Sequence, residues 1–245
     1  MTAGGPQDDK QEGTSTGRHA VGVLVTAVVA IVLFAAMVIG VRAEHGLGYE
    51  PAADHATTGV NVELSVFPDS MACHGSGGGA HPDWVSYCPS TNIKLPAHST
   101  VTFTVKQYDS ATTLHNTFFD TVRGTVGGTM TVNGKTMSQV SPDAPGHTFT
   151  LQTPPDSNEP YLFVNVPLLG TGANANQSAV TVNGNPYPAP NVIVFQIKTE
   201  GPGTYIWHCY VPCGTGLKGD GIGGQDNFGG PMATTGYMSG TVTVA

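Results

Sequence analysis

From residue 59 to the C-terminus, apolar side chains recur at every second position in short runs, and the runs are separated by clusters of Gly, Pro and Asn. A period of two puts one side of each run on a core and the other toward solvent, which is the geometry of a half-buried β-strand. "GVNVELSVF" (59–67) presents Val60, Val62, Leu64 and Val66, and "TVTFTVKQY" (100–108) presents Val101, Phe103 and Val105. "NVIVFQIK" (191–198) presents Ile193, Phe195 and Ile197, "GTYIWHC" (203–209) presents Tyr205, Trp207 and Cys209, and "GTVTVA" closes the chain. No long amphipathic helix interrupts this series. Short alternating strands with such punctuation predict an all-β antiparallel sandwich or barrel. In "TMTVNGKTM" (129–137), Asn133-Gly134 fits a two-residue hairpin turn.

The N-terminal part has a different composition. Residues 1–19 are polar and read as a cytoplasmic tail, whereas residues 20–41, "AVGVLVTAVVAIVLFAAMVIGV", contain no charge. At about 1.5 Å per residue, a helix over that run matches a bilayer core of about 30 Å. A signal-peptide core has about 7–15 apolar residues, so this longer run is read as a retained transmembrane helix. Cleavage after Ala43 is the alternative, and both readings export the chain beyond residue 43. Lys10 and Arg18 precede the run and Arg42 follows it, a slight bias that places the N-terminus in the cytoplasm. The expected organisation is a single-pass cell-membrane protein with a linker over 42–58 and an extracytoplasmic domain over 59–245. Two stretches, about 109–146 and 214–231, read as additions to that domain; the second contains eight glycines.

Charged residues make up 11% of the chain and the formal net charge is −8. Beyond residue 43 there are 14 acidic residues against 6 basic ones. A nucleic acid partner, which needs clustered Lys and Arg, is excluded. An acidic exported surface serves solubility and suits a basic protein partner such as a c-type cytochrome. The motifs of hydrolytic and phosphate-binding sites are absent from the sequence. Nothing in the residues alone marks the chain as a hydrolytic catalyst.

The chain has four cysteines. In an oxidising compartment they could form two disulfides, with three possible connectivities. Spacing favours Cys73 with Cys88, a loop worth about 3 kcal/mol by closure entropy. Cys209 and Cys213 then either pair with each other or bind metal. His74 and His81 lie inside the first loop, "CHGSGGGAHPDWVSYC", which lacks the tight pairs of a zinc knuckle. On the strand 203–209, His208 points away from the face that carries Cys209, so the two cannot both aim at one ion. His147 opens "GHTFTLQ" (146–152) with Phe149 and Leu151 on its own face, at a strand mouth where a sandwich can hold a metal.

Taken in order, "GHTFT", "NVPLLG", "VFQIKTEGPGTYIWHCYVPCG" and "GYMSGTVTV" resemble the cupredoxin family. The resemblance is to the exported copper domain of cytochrome oxidase subunit II first and to the rusticyanin-like blue copper proteins second. It covers roughly residues 59–67, 98–108 and 146–245. It implies a cupredoxin-like Greek-key β-sandwich with copper as cofactor. In the subunit II pattern, His147 matches the first histidine, Cys209 and Cys213 the bridging thiolates, the Val211 carbonyl the backbone ligand and Met238 the methionine. The second histidine has no counterpart, since none occurs from Cys213 to Ala245. In the blue-copper pattern its place in "GPMATTGYMSG" is taken by Met232. The set is sulfur-rich and favours Cu(I). His115, in "TTLHNTFF", is a further candidate that the 109–146 segment could bring to the site. Three functions are expected from this. The first is a membrane-anchored copper protein for one-electron transfer. The second is a subunit II-like or accessory component of a respiratory oxidase. The third is a copper-free interaction or assembly domain held by disulfides.

Overall fold

The computed structural model describes residues 57–58, 60–74, 79–172, 179–212, 230–232 and 234–245. The stretches read from the sequence as a cytoplasmic tail (1–19) and a transmembrane helix (20–41), and almost all of the expected linker, lie outside the described residues, as do Cys213 and most of the glycine-rich stretch. Among the described residues, no helix is long and apolar enough to cross a membrane.

The alternating runs all become strands. The first half of the domain supplies β1 (Thr57–Thr58), β2 (Asn61–Phe67), β3 (Ser86–Cys88), β4 (Asn92–Leu95), β5 (Thr100–Gln107), β6 (Met130–Val132) and β7 (Lys135–Met137). The second half supplies β8 (Pro145–Gln152), β9 (Phe163–Leu169), β10 (Val180–Val182), β11 (Asn185–Tyr187), β12 (Asn191–Lys198), β13 (Gly203–His208) and β14 (Ser239–Val244). Among the described residues they form two six-stranded sheets, β1-β4-β14-β13-β8-β9 and β3-β2-β5-β12-β6-β7, with β10-β11 as a separate hairpin. Most residues picked by period two face inward: Val62, Leu64, Val101, Phe103, Ile193, Ile197, Tyr205 and Trp207 are all buried, whereas Val60, which precedes β2, is 52% exposed. The sheets meet through rings. Phe103 and Phe195 stack 5.0 Å apart in the second sheet, and Phe149 of the first lies 5.3 Å from Phe103 and 5.2 Å from Trp207. Such offset and tilted pairs add to the area that the rings remove from water. The Trp207 indole N–H donates to the Thr91 carbonyl at 2.8 Å, so its one polar atom is satisfied in the core.

The pairing is mixed where the alternation suggested antiparallel strands. β2 with β5, β4 with β14 and β1 with β4 run parallel. The reason lies in the chain path. β4 sits in the other sheet between β3 and β5, so the chain returns to β2 after a crossover, not by a hairpin. Period two reports which face is buried and is silent on direction.

The Asn133-Gly134 hairpin forms as expected, with φ of 50° and 83° and the Met130↔Met137 register across β6 and β7. The 109–146 segment is packed into the domain. β6 and β7 complete an edge of the second sheet, and Leu114, Val122, Met130 and Val132 join the main core. A 3₁₀ turn, Thr117–Asp120, and the residues after it dock on β9, where Asn165 donates to the carbonyls of Phe119 and Thr121 at 3.0 and 2.8 Å. Every residue of β8 from Pro145 to Leu151 is buried, which is the signature of a strand covered on both faces.

Cys73 and Cys88 form the expected disulfide, with Cα atoms 5.4 Å apart. Cys73 lies in a short helix, α1 (Met71–His74), and the bridge borders a second small core of Phe67, Ala72, Tyr108 and Tyr187. Phe67 and Tyr108 stack there at 4.4 Å, and the Tyr187 hydroxyl donates to Asp69 at 2.8 Å. Cys73→Ser is expected to cost about 3 kcal/mol through loss of loop closure in the unfolded chain, measured as a lowered denaturant midpoint of the oxidised protein.

Candidate metal centre

Three adjacent strands bring the candidate residues to one end of the first sheet. In the β13/β8 register His208 faces Thr150, and in the β13/β14 register it faces Ser239. One step further along the chain leaves β13 and reaches Cys209, whose amide donates to the Met238 carbonyl at 3.0 Å. On the other side the Thr148 amide donates to Cys209 Sγ at 3.3 Å, and Tyr210 N–H donates to Thr148 Oγ1 at 2.8 Å. β8 carries a register shift between Pro145 and His147. A bulge of this kind re-aims the side chain that follows it, and here that side chain is His147.

His147 Nδ1 lies 3.7 Å from Cys209 Sγ. Its other nitrogen, Nε2, lies 2.9 Å from Asp109 Oδ2. His147 and Cys209 are each 1% exposed. Burial by itself lowers the imidazole pKa, but the hydrogen bond to Asp109, together with the sulfur of Cys209, outweighs it and lifts the group to about 9. Burial likewise pushes the Asp109 carboxyl up, and the hydrogen bond and charge of His147, with Ser110, bring it below its ordinary value. Cys209, His147 and Asp109 thus stand in the linear order of a nucleophilic triad. A sulfur this deeply buried is closed to a carbonyl substrate, so the arrangement does not serve acyl transfer.

The same geometry fits a metal ion. With bond lengths of about 2.3 Å to sulfur and 2.0 Å to imidazole, as at zinc, two ligands that share an ion at roughly 110–120° stand roughly 3.5–3.7 Å apart. The observed separation of 3.7 Å is at that spacing. The hydrogen bond from the Thr148 amide to Cys209 Sγ favours the thiolate that a metal needs. The carboxylate on Nε2 leaves Nδ1 as the ligand atom. Among the described residues, no three His, Cys, Asp or Glu side chains form a metal-binding group. Any further donors to an ion here are then of another kind, or lie outside the described residues, as Cys213 does.

The structure distributes the sequence-derived candidates unevenly around this pair. Met238 is fully buried beside Cys209, and its carbonyl holds the Cys209 amide. Met232 ends a 3₁₀ turn, Gly230–Met232, and is 4% exposed. The Pro231 carbonyl of that turn accepts from the Met238 amide at 3.2 Å. The Val211 carbonyl lies 3.7 Å from Cys209 Sγ, on the same sulfur as His147. Met238, Met232 and Val211 all belong to the main core cluster with Cys209. His115 is exposed to solvent, in contrast to the buried His147 and Cys209. His208 is half-buried at the end of β13; burial holds its pKa down, and its ring bonds to the Met232 backbone. Asp109 is the residue that sequence reasoning misses, because it lies 38 residues from His147 in a loop with no motif around it.

No family model matches the chain, and no curated protein is significantly similar to it. Among solved structures, it is similar to rusticyanin from Thiobacillus ferrooxidans (15% identity, 83% of this chain and 92% of rusticyanin, TM-score 0.34). It is also similar to auracyanin from Roseiflexus castenholzii (12% identity, 76% and 97%, TM-score 0.29). The third is auracyanin A, a blue copper protein of Chloroflexus aurantiacus (11% identity, 76% and 99%, TM-score 0.29). At those scores the likenesses carry no weight beside the strand register and the side chains it brings together.

The Asp109–His147 pair makes metal-free stability depend on pH at both ends. The raised imidazole contributes fully below its unfolded value of 6.5 and loses that contribution as pH rises through about 9. The lowered carboxyl contributes above its unfolded value of 3.8 and loses it as pH falls below that. Thermal midpoints of the metal-free chain should therefore be highest between about pH 4 and 6.5 with respect to this pair, and His147→Gln should remove the decline on the alkaline side.

Proposed function

We propose that this chain is a copper-binding electron carrier anchored to the outer face of the cell membrane. The observation that carries the reading is the buried Cys209 Sγ and His147 Nδ1 pair at 3.7 Å, where β13 ends and β14 begins beside β8. Bound copper would supply the one-electron couple between Cu(II) and Cu(I). The residues of the chain do the rest. His147 and Cys209 hold the ion, and Met238, Met232, the Val211 carbonyl and Cys213 are the candidates to complete the set. The surrounding core excludes water. The absence of a second histidine makes the donor set softer than one with two imidazoles, which shifts preference toward the reduced ion.

Residues 20–41 are proposed as the single membrane span, with the N-terminus in the cytoplasm. The acidic excess beyond residue 43 supports a basic electron-transfer partner, either a c-type cytochrome or the subunits of a respiratory oxidase in which this chain takes a subunit II-like place.

Elemental analysis of the purified full chain is expected to find copper, with thiolate-to-copper absorption when the ion is oxidised and no colour when it is reduced. Cys209→Ser should abolish copper binding, whereas Cys73→Ser should keep the metal and lose stability. Equal loss of copper from both variants would contradict the assignment, and a wild-type chain without copper would end it.

A further inference from the structure

We infer that Asp109 is a positioning residue of this centre: through Nε2 it orients the His147 ring toward Cys209, and its charge biases a bound copper ion toward Cu(II). The inference rests on the copper reading above and concerns a residue that reading does not use.

The first half of the inference is geometric. An imidazole can present either ring nitrogen, and which one it presents is set by what the other one bonds. Here the carboxylate takes Nε2 at 2.9 Å, which leaves Nδ1 facing the sulfur. The carboxylate is itself fixed. Its second oxygen, Oδ1, accepts from the Ser110 amide at 2.7 Å and lies 3.4 Å from the Ser110 hydroxyl. The backbone on either side is pinned as well. The Asp109 amide donates to Gln107 Oε1 at 3.3 Å, and the Asp109 carbonyl accepts from the Thr171 amide at 2.7 Å. This loop can approach β8 and β9 only because two glycines face it. A Cβ at Gly146 would stand 2.5 Å from the Ser110 carbonyl oxygen, and one at Gly170 would stand 2.3 Å from the Ala111 nitrogen. The packing of the loop thus delivers a carboxylate to the far side of the histidine with little freedom to move.

The second half is a matter of charge. His147 is buried and neutral when it binds metal, and the Asp109 side chain is only 18% exposed. One thiolate and one carboxylate leave Cu(II) with no net charge and Cu(I) with an excess negative charge. Without the carboxylate, Cu(I) is the neutral state and Cu(II) carries the excess. A poorly solvated site favours the state with less uncompensated charge. Whatever donors complete the set, loss of an anion at this distance favours the less charged ion. Asp109 therefore offsets the bias toward Cu(I) that the sulfur-rich donors impose.

The test uses the full chain loaded with copper, titrated with one-electron mediators, with Cu(I) affinity measured against a chelator. Asp109→Asn should raise the preference for Cu(I) over Cu(II) at least tenfold, about 59 mV upward for one electron. Asp109→Ser, which removes the charge without placing an amide in the pocket, should shift it the same way. Asp109→Glu, which keeps the charge, should stay within that factor of the parent. A role in scaffolding alone would lower the unfolding midpoint and leave the potential unmoved. Copper retained by the Asn and Ser variants with an unchanged or lowered potential overturns this inference and leaves the copper reading intact. Loss of fold in both neutral variants assigns Asp109 to the scaffold and also overturns it. A wild-type chain that binds no copper removes both.

Discussion

The pairing of β13 with β8 on one side and β14 on the other is the constraint on which the candidate centre depends. β13 contributes Tyr205 and Trp207 to the core, and its inward face continues past the last ladder bond to Cys209. Slipping either neighbour by one residue would turn its side chains to the opposite face, because the period of a strand is two. The ring contacts of Trp207 with Phe149 and Tyr87, at 5.2 and 4.7 Å, hold the register by volume. The amide of Cys209 on the Met238 carbonyl holds it by hydrogen bonding just where the strands end. Core packing and site geometry are thus set by the same few residues, and a change that loosens the core at Trp207 displaces the sulfur two residues later.

Much of the fold can be read from the alternation, because burial on one face is a local property of each run. Val62, Phe103, Ile193 and Trp207 are inside for the reason their spacing suggests. Strand direction is a property of the path between runs, and so the parallel pairs of β2 with β5 and β4 with β14 have no local sign. The hairpin at Asn133-Gly134 is legible because that dipeptide accepts two positive φ angles. Asn183-Gly184, with φ of 49° and 83°, closes β10 and β11 by the same chemistry in "TVNG", and the repeated tetrapeptide is the signal that marks it.

The centre is legible in part. His147 and Cys209 stand out because a titratable or sulfur-bearing residue continues an inward-facing alternation, and the fold brings them within 3.7 Å. Asp109 has no such mark. It follows the last residue of β5 by two positions, where the alternation has ended, and only tertiary packing of its loop against β8 and β9 reveals its partner. The 109–146 segment shows the same limit. Its hairpin is announced by Asn133-Gly134 but its docking is not: Met130 and Val132 extend the second sheet, and Phe119 stacks on Tyr210 at 4.5 Å, next to the candidate ligand.

The close approach of the Asp109 loop to β8 and β9 has a consequence for descent. Two of its supports carry no side chain, and the space that glycine leaves at positions 146 and 170 is occupied by the backbone of Ser110 and Ala111. A lineage that places any larger residue at either position must move the loop, and with it the acid. Among chains that share this architecture, an acid at 109 and glycine at 146 and 170 should be inherited or lost as one unit.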